Sequence, residues 1–251
     1  MKDDQSLSVN PASTGGVWSL DADAPLQSVL DRPDTPPLLR QALTGVLSWQ
    51  TRNETPIRRT LTSPRLAPQW VAALLALGAT VTVEGDDGPM DVPVESVLQR
   101  QAKGVVSALH VELGSVRWGE ARVARTPADE PIISAIAVVG MDDPSASSGQ
   151  APSAGQRGEL VEPSGQGGIV RQAHVALAGA WPEPARLAKA PARLVGGPLD
   201  AERIQAVADR VAEEVDPRGD FLGSEEYRRA MAGVTTRRAL EACLRQEVGD
   251  E

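Results

Sequence analysis

The sequence predicts a mixed α+β protein in two parts, an α+β domain followed by a sheet with helices, and three observations carry that prediction. Leu38, Leu39, Ala42, Leu43, Val46 and Leu47 recur at helical spacing. Thr80–Glu84 and Met90–Val94 flank EGDDGP as the arms of a hairpin. A strand-like run at Ile169–Ala178 precedes a second apolar helical face at Ile204, Val207, Ala208, Val211, Ala212 and Val215. With 251 residues, 41% of them hydrophobic, the chain can bury a sizeable core and fits two domains of ordinary size.

Taken in order, Met1–Gly16 is rich in Ser, Asp, Gly and Asn and reads as a flexible arm. Gly15-Gly16 suits a turn, because neither a preceding strand nor a glycine-rich nucleotide signature accompanies it. Pro36-Pro37 sit at the start of the first helix, where a missing N–H does no harm. Gln50–Leu66 reads as a polar, proline-punctuated loop. Pro68–Leu77 reads as an apolar helix with Gly78 just past its end, and Ala79–Glu84 alternates as a strand. A loop feeding a helix is a natural anion site where small residues let the anion approach. Val105–Leu113 offers a further strand.

Asp142–Gly168 is dense in Ser, Gly, Pro and Gln and reads as a disordered insertion between strands Ile132–Val139 and Ile169–Ala178. Loop closure costs only about 0.6 kcal/mol per doubling of length, so a hairpin there survives it. Asp200 is placed to cap the helix bearing the second apolar face. Ser224, followed by Glu225 and Glu226, suits the start of a last helix that runs to about Gln246.

Composition narrows the function. A formal charge of −9, from 25 Lys and Arg against 34 Asp and Glu, argues against general binding to nucleic acid or an anionic membrane. The one cysteine, Cys243, excludes an internal disulfide and a cysteine-ligated iron–sulfur cluster carried by this chain alone. The polar, acidic N-terminus is unlike a signal peptide, and no apolar run approaches the roughly 20 residues that span a bilayer, so a cytoplasmic location is expected.

His110 and His174 fall inside strand patterns without metal-ligand spacing and are read as structural. Cys243 sits on an apolar helical face and reads as a buried, inert thiol. Arg228-Arg229 and Arg237-Arg238 form either a solvated basic face or docking contacts for acidic partners. No nucleophile–base set, carboxylate pair or metal cluster stands out, so no bond chemistry by this chain alone is expected and no catalytic or metal-binding residue is assigned.

Two stretches resemble a known family. Arg52, Asn53, Ile57 and Leu61, followed by a helix with Leu74, Leu75, Leu77, Ala79 and Val81, match the order R-N-x-A-T-I-G-G-N-L and L-x-A-x-V. Ala178–Arg186, Gly197–Asp200, Asp216–Arg229 and Val234–Leu240 match A-L-G-G-x-x-P-x-P-x-R, G-x-P-L-D, D-P-x-x-D-x-x-x-S-x-E-Y-R-R and V-x-x-R-R-A-L. The chain thus resembles the FAD-binding medium subunit of molybdenum hydroxylases, the family of carbon monoxide dehydrogenase and xanthine dehydrogenase. It departs where a flavin would touch. Arg58 and Arg59 stand at the two glycines, Thr60 at the asparagine, and Arg65 and Gln69 at the two aspartates.

The resemblance implies a truncated flavin-binding α+β domain at 17–116, without the family's first glycine-rich loop, after an arm at 1–16. A C-terminal domain at 117–247, a small antiparallel sheet packed with a helical bundle, carries the insertion at 142–168. It implies FAD as cofactor, with Arg52, Asn53, Ile57, Arg58, Arg59, Thr60 and Leu61 as the contact segment, and a molybdopterin-containing large subunit and a [2Fe-2S] small subunit as partners. Three roles stay open. The chain passes electrons through FAD, it is a flavin-free structural or docking subunit with a degenerate loop, or it binds an anionic ligand through its arginine-rich loop.

Overall fold

The structure, a computed structural model, describes residues 16–44, 47–86, 88–126, 129–142 and 168–246. The first sheet has the order β1-β4-β2-β3, all antiparallel, from β1 (Val17–Asp21), β2 (Thr80–Gly85), β3 (Gly88–Pro93) and β4 (Val105–Glu112). Between β1 and β2 run five short helices, α1 (Gln27–Asp31), α2 (Pro37–Leu43), α3 (Trp49–Glu54), α4 (Ile57–Thr62) and α5 (Pro68–Ala76); α6 (Val94–Leu98) joins β3 to β4. The mixed α+β class expected from the sequence is what the chain forms.

Two local expectations are corrected. The stretch Gln50–Leu66 is not a loop. It holds most of α3, all of α4 and a 3₁₀ turn at Pro64–Leu66. Its prolines, and Pro68 just after it, open helices: Pro56 precedes α4, Pro64 begins the 3₁₀ turn and Pro68 is the first residue of α5, positions where no helical hydrogen bond is lost. Conversely, α2 stops at Leu43, because Thr44 turns extended and donates its N–H to Gln41. The strand β1, short and preceded by a turn signal, was not expected either.

Helix α5 explains how the two halves meet. Every residue from Gln69 to Ala76 is buried, since the helix is wedged between α2 on one side and β6 (Ile133–Met141), β7 (Val170–Ala178) and β8 (Ala185–Leu187) on the other. A helix apolar all round belongs in such a place. The second sheet, ordered β5-β6-β7-β8 with β5 at Val116–Val123, is antiparallel throughout and covered on both faces. Ile136, Val138, Ala176 and Ala178 join the core around α5. Ala135, Ala137, Val139, Val175 and Leu177 join a second core under α7 (Ala201–Glu214) and α8 (Glu225–Arg245). Double burial gives β6 its nearly continuous apolar sequence, broken by Ser134.

Helix α8 lies so close to β5 that a Cβ at Gly119 would stand 2.1 Å from the Ala239 carbonyl oxygen; only glycine fits that crossing. Both long helices start as their sequences require. Asp200 accepts the Arg203 N–H at 2.8 Å and Ser224 accepts the Tyr227 N–H at 3.2 Å. The ladder between β6 and β7 continues to its end, with the Asp142 N–H donating to Ile169 at 2.8 Å. The arm and the insertion expected at 1–16 and 142–168 fall, apart from Gly16, Asp142 and Gly168, outside the described residues.

Candidate functional site

The seven residues of the expected contact segment divide into three groups. Ile57, Thr60 and Leu61 are buried in the core on the inner side of α4. Thr60 donates its hydroxyl to the Ile57 carbonyl at 2.7 Å and accepts the Trp70 indole N–H at 3.1 Å, so it serves the packing of α5. Arg52 and Asn53 make local contacts in α3: Arg52 donates to Gln27 at 2.9 Å and to the Leu47 carbonyl, and Asn53 to the Trp49 carbonyl at 2.8 Å. Arg58 and Arg59 are exposed on the outer side of α4, and Arg58 is paired with Asp23 at 2.5 Å.

The backbone of this segment is equally engaged. The N–H of Ile57 donates to Ala24 at 3.0 Å, that of Arg58 to Ala22 at 2.8 Å and that of Arg59 to Pro56 at 3.0 Å. The first N–H groups of a helix are normally orphans available to an anion. Here the chain leaving β1 runs alongside α4 and takes two of them. A dinucleotide diphosphate held by bare backbone needs those amides, and arginines stand where such a loop needs residues without a side chain, so the residues present do not fit a flavin seated in that manner.

Arg58, Arg59 and the edge of Leu61 instead line a cavity of about 730 Å³. Its other walls come from the end of α6, at Val97 and Leu98, and from the start of β4, at Val105 and Val106. Arg100 completes the rim, a residue the sequence did not single out. Helix α6 ends in a Schellman turn: the Arg100 N–H donates to Val97 at 3.0 Å and the Gln101 N–H to Ser96 at 2.9 Å. Arg100 therefore takes a left-handed φ of 57°, the position that glycine usually fills. No sequence signal announces an arginine there. Every charged residue on the cavity wall is an arginine, in a chain whose net charge is −9.

Elsewhere the structure places candidates in supporting roles. His110 bridges the first sheet's open face, with Nδ1 2.9 Å from the Ser19 hydroxyl and Nε2 2.8 Å from that of Thr82, which donates to Asp91 at 2.5 Å. One tautomer satisfies the whole row. His174 Nδ1 meets the Ala76 carbonyl at 3.1 Å and ties β7 to the end of α5. Cys243 is buried against the Ala137 carbonyl, and burial pushes its thiol up to about 12. Among the described residues no cluster of His, Cys, Asp or Glu could hold a metal ion, and no helix is long and apolar enough to cross a membrane.

The reading of Arg228-Arg229 as a solvated or docking pair is corrected for its first member. Arg228 is 6% exposed. It donates to the Ile132 carbonyl at 2.7 Å, to the Gly179 carbonyl at 3.3 Å and to both oxygens of Asp220 at 2.8 Å. The guanidinium braces the turn before α8, whose tip is Phe221, 90% exposed.

Comparison with known proteins agrees with this architecture. Residues 151–243 match the model of the CO dehydrogenase flavoprotein C-terminal domain. Among solved structures, carbon monoxide dehydrogenase from Hydrogenophaga pseudoflava is similar at 21% identity and a TM-score of 0.69, covering 94% of this chain and 77% of that one. Quinoline 2-oxidoreductase from Pseudomonas putida 86 is similar at 21% identity and a TM-score of 0.70, covering 93% and 77%. CO dehydrogenase from Oligotropha carboxidovorans is similar at 19% identity and a TM-score of 0.70, covering 90% and 75%. At these identities the structural likeness establishes the fold. No curated protein sequence matches the chain. The C-terminal motifs that suggested the resemblance all lie within residues 151–243, the part of the chain that matches the CO dehydrogenase flavoprotein C-terminal domain.

Proposed function

We propose that this chain is the medium subunit of a molybdenum-hydroxylase-like oxidoreductase complex and acts there as a flavin-free docking scaffold. The observation that carries the flavin-free part is the occupation of the Ile57, Arg58 and Arg59 amides by Ala24, Ala22 and Pro56. It leaves the segment that in this family would meet FAD without the donors a diphosphate needs. The scaffold part is supported by the matched C-terminal domain and by the enzymes in whose structures a similar fold occurs, carbon monoxide dehydrogenase and quinoline 2-oxidoreductase. The partners in this reading are a molybdopterin-containing large subunit and a [2Fe-2S] small subunit.

The exposed Phe221 favours docking. An aromatic ring almost wholly in water, on a turn fixed by the Arg228–Asp220 pair, leaves little backbone entropy to lose on binding and suits an interface anchor. The test is affinity purification of the tagged full chain from cells co-expressing a molybdopterin-containing large subunit and a [2Fe-2S] small subunit of the same source. The account expects a ternary complex with iron–sulfur absorbance and no FAD released from this chain. Failure to retain either subunit contradicts it.

A further inference from the structure

We propose that the cavity between α4, α6 and the start of β4 binds an organic phosphate monoester. Arg59 and Arg100 clasp the phosphate, and the aliphatic wall of Leu61, Val97 and Val106 packs its apolar body. This inference takes up the arginine-rich segment as an anion site, but with side chains in place of backbone and with a partner, Arg100, from outside that segment. It stands apart from the docking role.

Four observations converge on it. The volume, about 730 Å³, lies in the range of small-molecule sites, and the wall combines apolar surface with a few charges as such sites do. Charge counting selects the ligand. Arg58 is neutralised by Asp23, whereas the guanidiniums of Arg59 and Arg100 have no hydrogen-bond or ion-pair partner among the described residues. Two unpaired guanidiniums match a phosphate monoester, which carries about −1.5 to −2 at neutral pH and three acceptor oxygens, better than a carboxylate with one charge and two oxygens. The two arginines come from separate elements, α4 and the Schellman turn of α6, that line the same cavity, an arrangement that lets two forks share one anion. Finally, Arg100 holds the left-handed conformation that a glycine would adopt without strain, and strained positions of this kind persist at ligand clamps.

The test is isothermal titration of the full chain with phenyl phosphate, benzoate and inorganic phosphate. The proposal expects saturable binding of phenyl phosphate at a 1:1 ratio, with benzoate and inorganic phosphate each weaker by about tenfold or more, one lacking the dianion and the other the apolar body. Arg59→Ala and Arg100→Gly are each expected to weaken phenyl phosphate by about tenfold or more, while Arg237→Ala on α8 leaves it unchanged. Arg100→Gly is the decisive variant, because it removes the guanidinium while relieving the backbone, so its melting temperature is expected to equal or exceed that of the parent chain. Any of three results overturns the proposal: no saturable heat from phenyl phosphate, equal affinity for benzoate or inorganic phosphate, or unaltered affinity in the well-folded Arg100→Gly chain.

Discussion

The Arg58 amide donates to the Ala22 carbonyl at 2.8 Å, which stitches the first turn of α4 to the chain leaving β1. The arginine pair is therefore part of a helix that the fold uses, and restoring glycines there does not recreate a phosphate loop. The double substitution Arg58→Gly and Arg59→Gly is expected to lower stability by about 1 kcal/mol per glycine, with little added from the exposed Arg58–Asp23 pair. It is also expected to take up no FAD. Calorimetry and absorbance after incubation with FAD and gel filtration check both outcomes; flavin gained by the variant contradicts the placement.

Thr60 stands where the family pattern has a flavin-loop asparagine, yet its oxygen accepts the buried Trp70 indole. Thr60→Val keeps the shape and removes the acceptor. The orphaned indole N–H is expected to cost about 1–3 kcal/mol, measured as a fall in the urea midpoint with an unchanged slope. A neutral substitution implies that Trp70 finds another partner.

Acid should act on the turn before α8. The Arg228 guanidinium, bonded to both oxygens of Asp220, holds that carboxyl below the usual carboxylate range, helped by the Leu222 and Gly223 amides. A carboxyl with a depressed folded value binds fewer protons folded than unfolded, so its stabilisation is complete above the unfolded value of about 3.9 and is lost as pH falls through the folded one. Asp220→Asn is expected to lose about 1–2 kcal/mol at pH 7, discounted because the carboxylate is partly exposed, and the gap to the parent chain is expected to begin closing as pH falls below about 4. A gap that stays constant from pH 7 to pH 3 contradicts this.

Phe221 separates docking from folding. Because the ring is almost fully exposed, Phe221→Ala is expected to leave the melting temperature unchanged while weakening association with the partner subunits by about 2 kcal/mol, roughly thirtyfold. Surface plasmon resonance against the co-purified subunits measures it. Unchanged affinity moves the interface elsewhere on the chain.

These predictions draw unevenly on the sequence, for physical reasons. The caps at Asp200 and Ser224, the β2–β3 hairpin and the end of α5 at Gly78, φ 65°, were legible because each rests on contacts within a few residues. Helices α3 and α4 were not, since proline marks a loop and a helix start alike, and only the packing of Ile57 and Leu61 decides between them. The burial of Arg228 depends on carbonyls at Ile132 and Gly179, 96 and 49 residues away, which no local pattern reveals. Of the site, Arg58 and Arg59 were visible as charges in an expected anion segment. Arg100 was not, because its place opposite them comes from tertiary packing of α6 beside α4.

The central claim, that the Arg52–Leu61 segment of this chain holds no flavin, is tested most directly by the FAD content of the purified full chain. FAD released by acid is measured against protein concentration, before and after incubation with excess cofactor. The account predicts a substoichiometric trace in both samples and no flavin absorbance after gel filtration. One FAD per chain, retained through gel filtration, would contradict it.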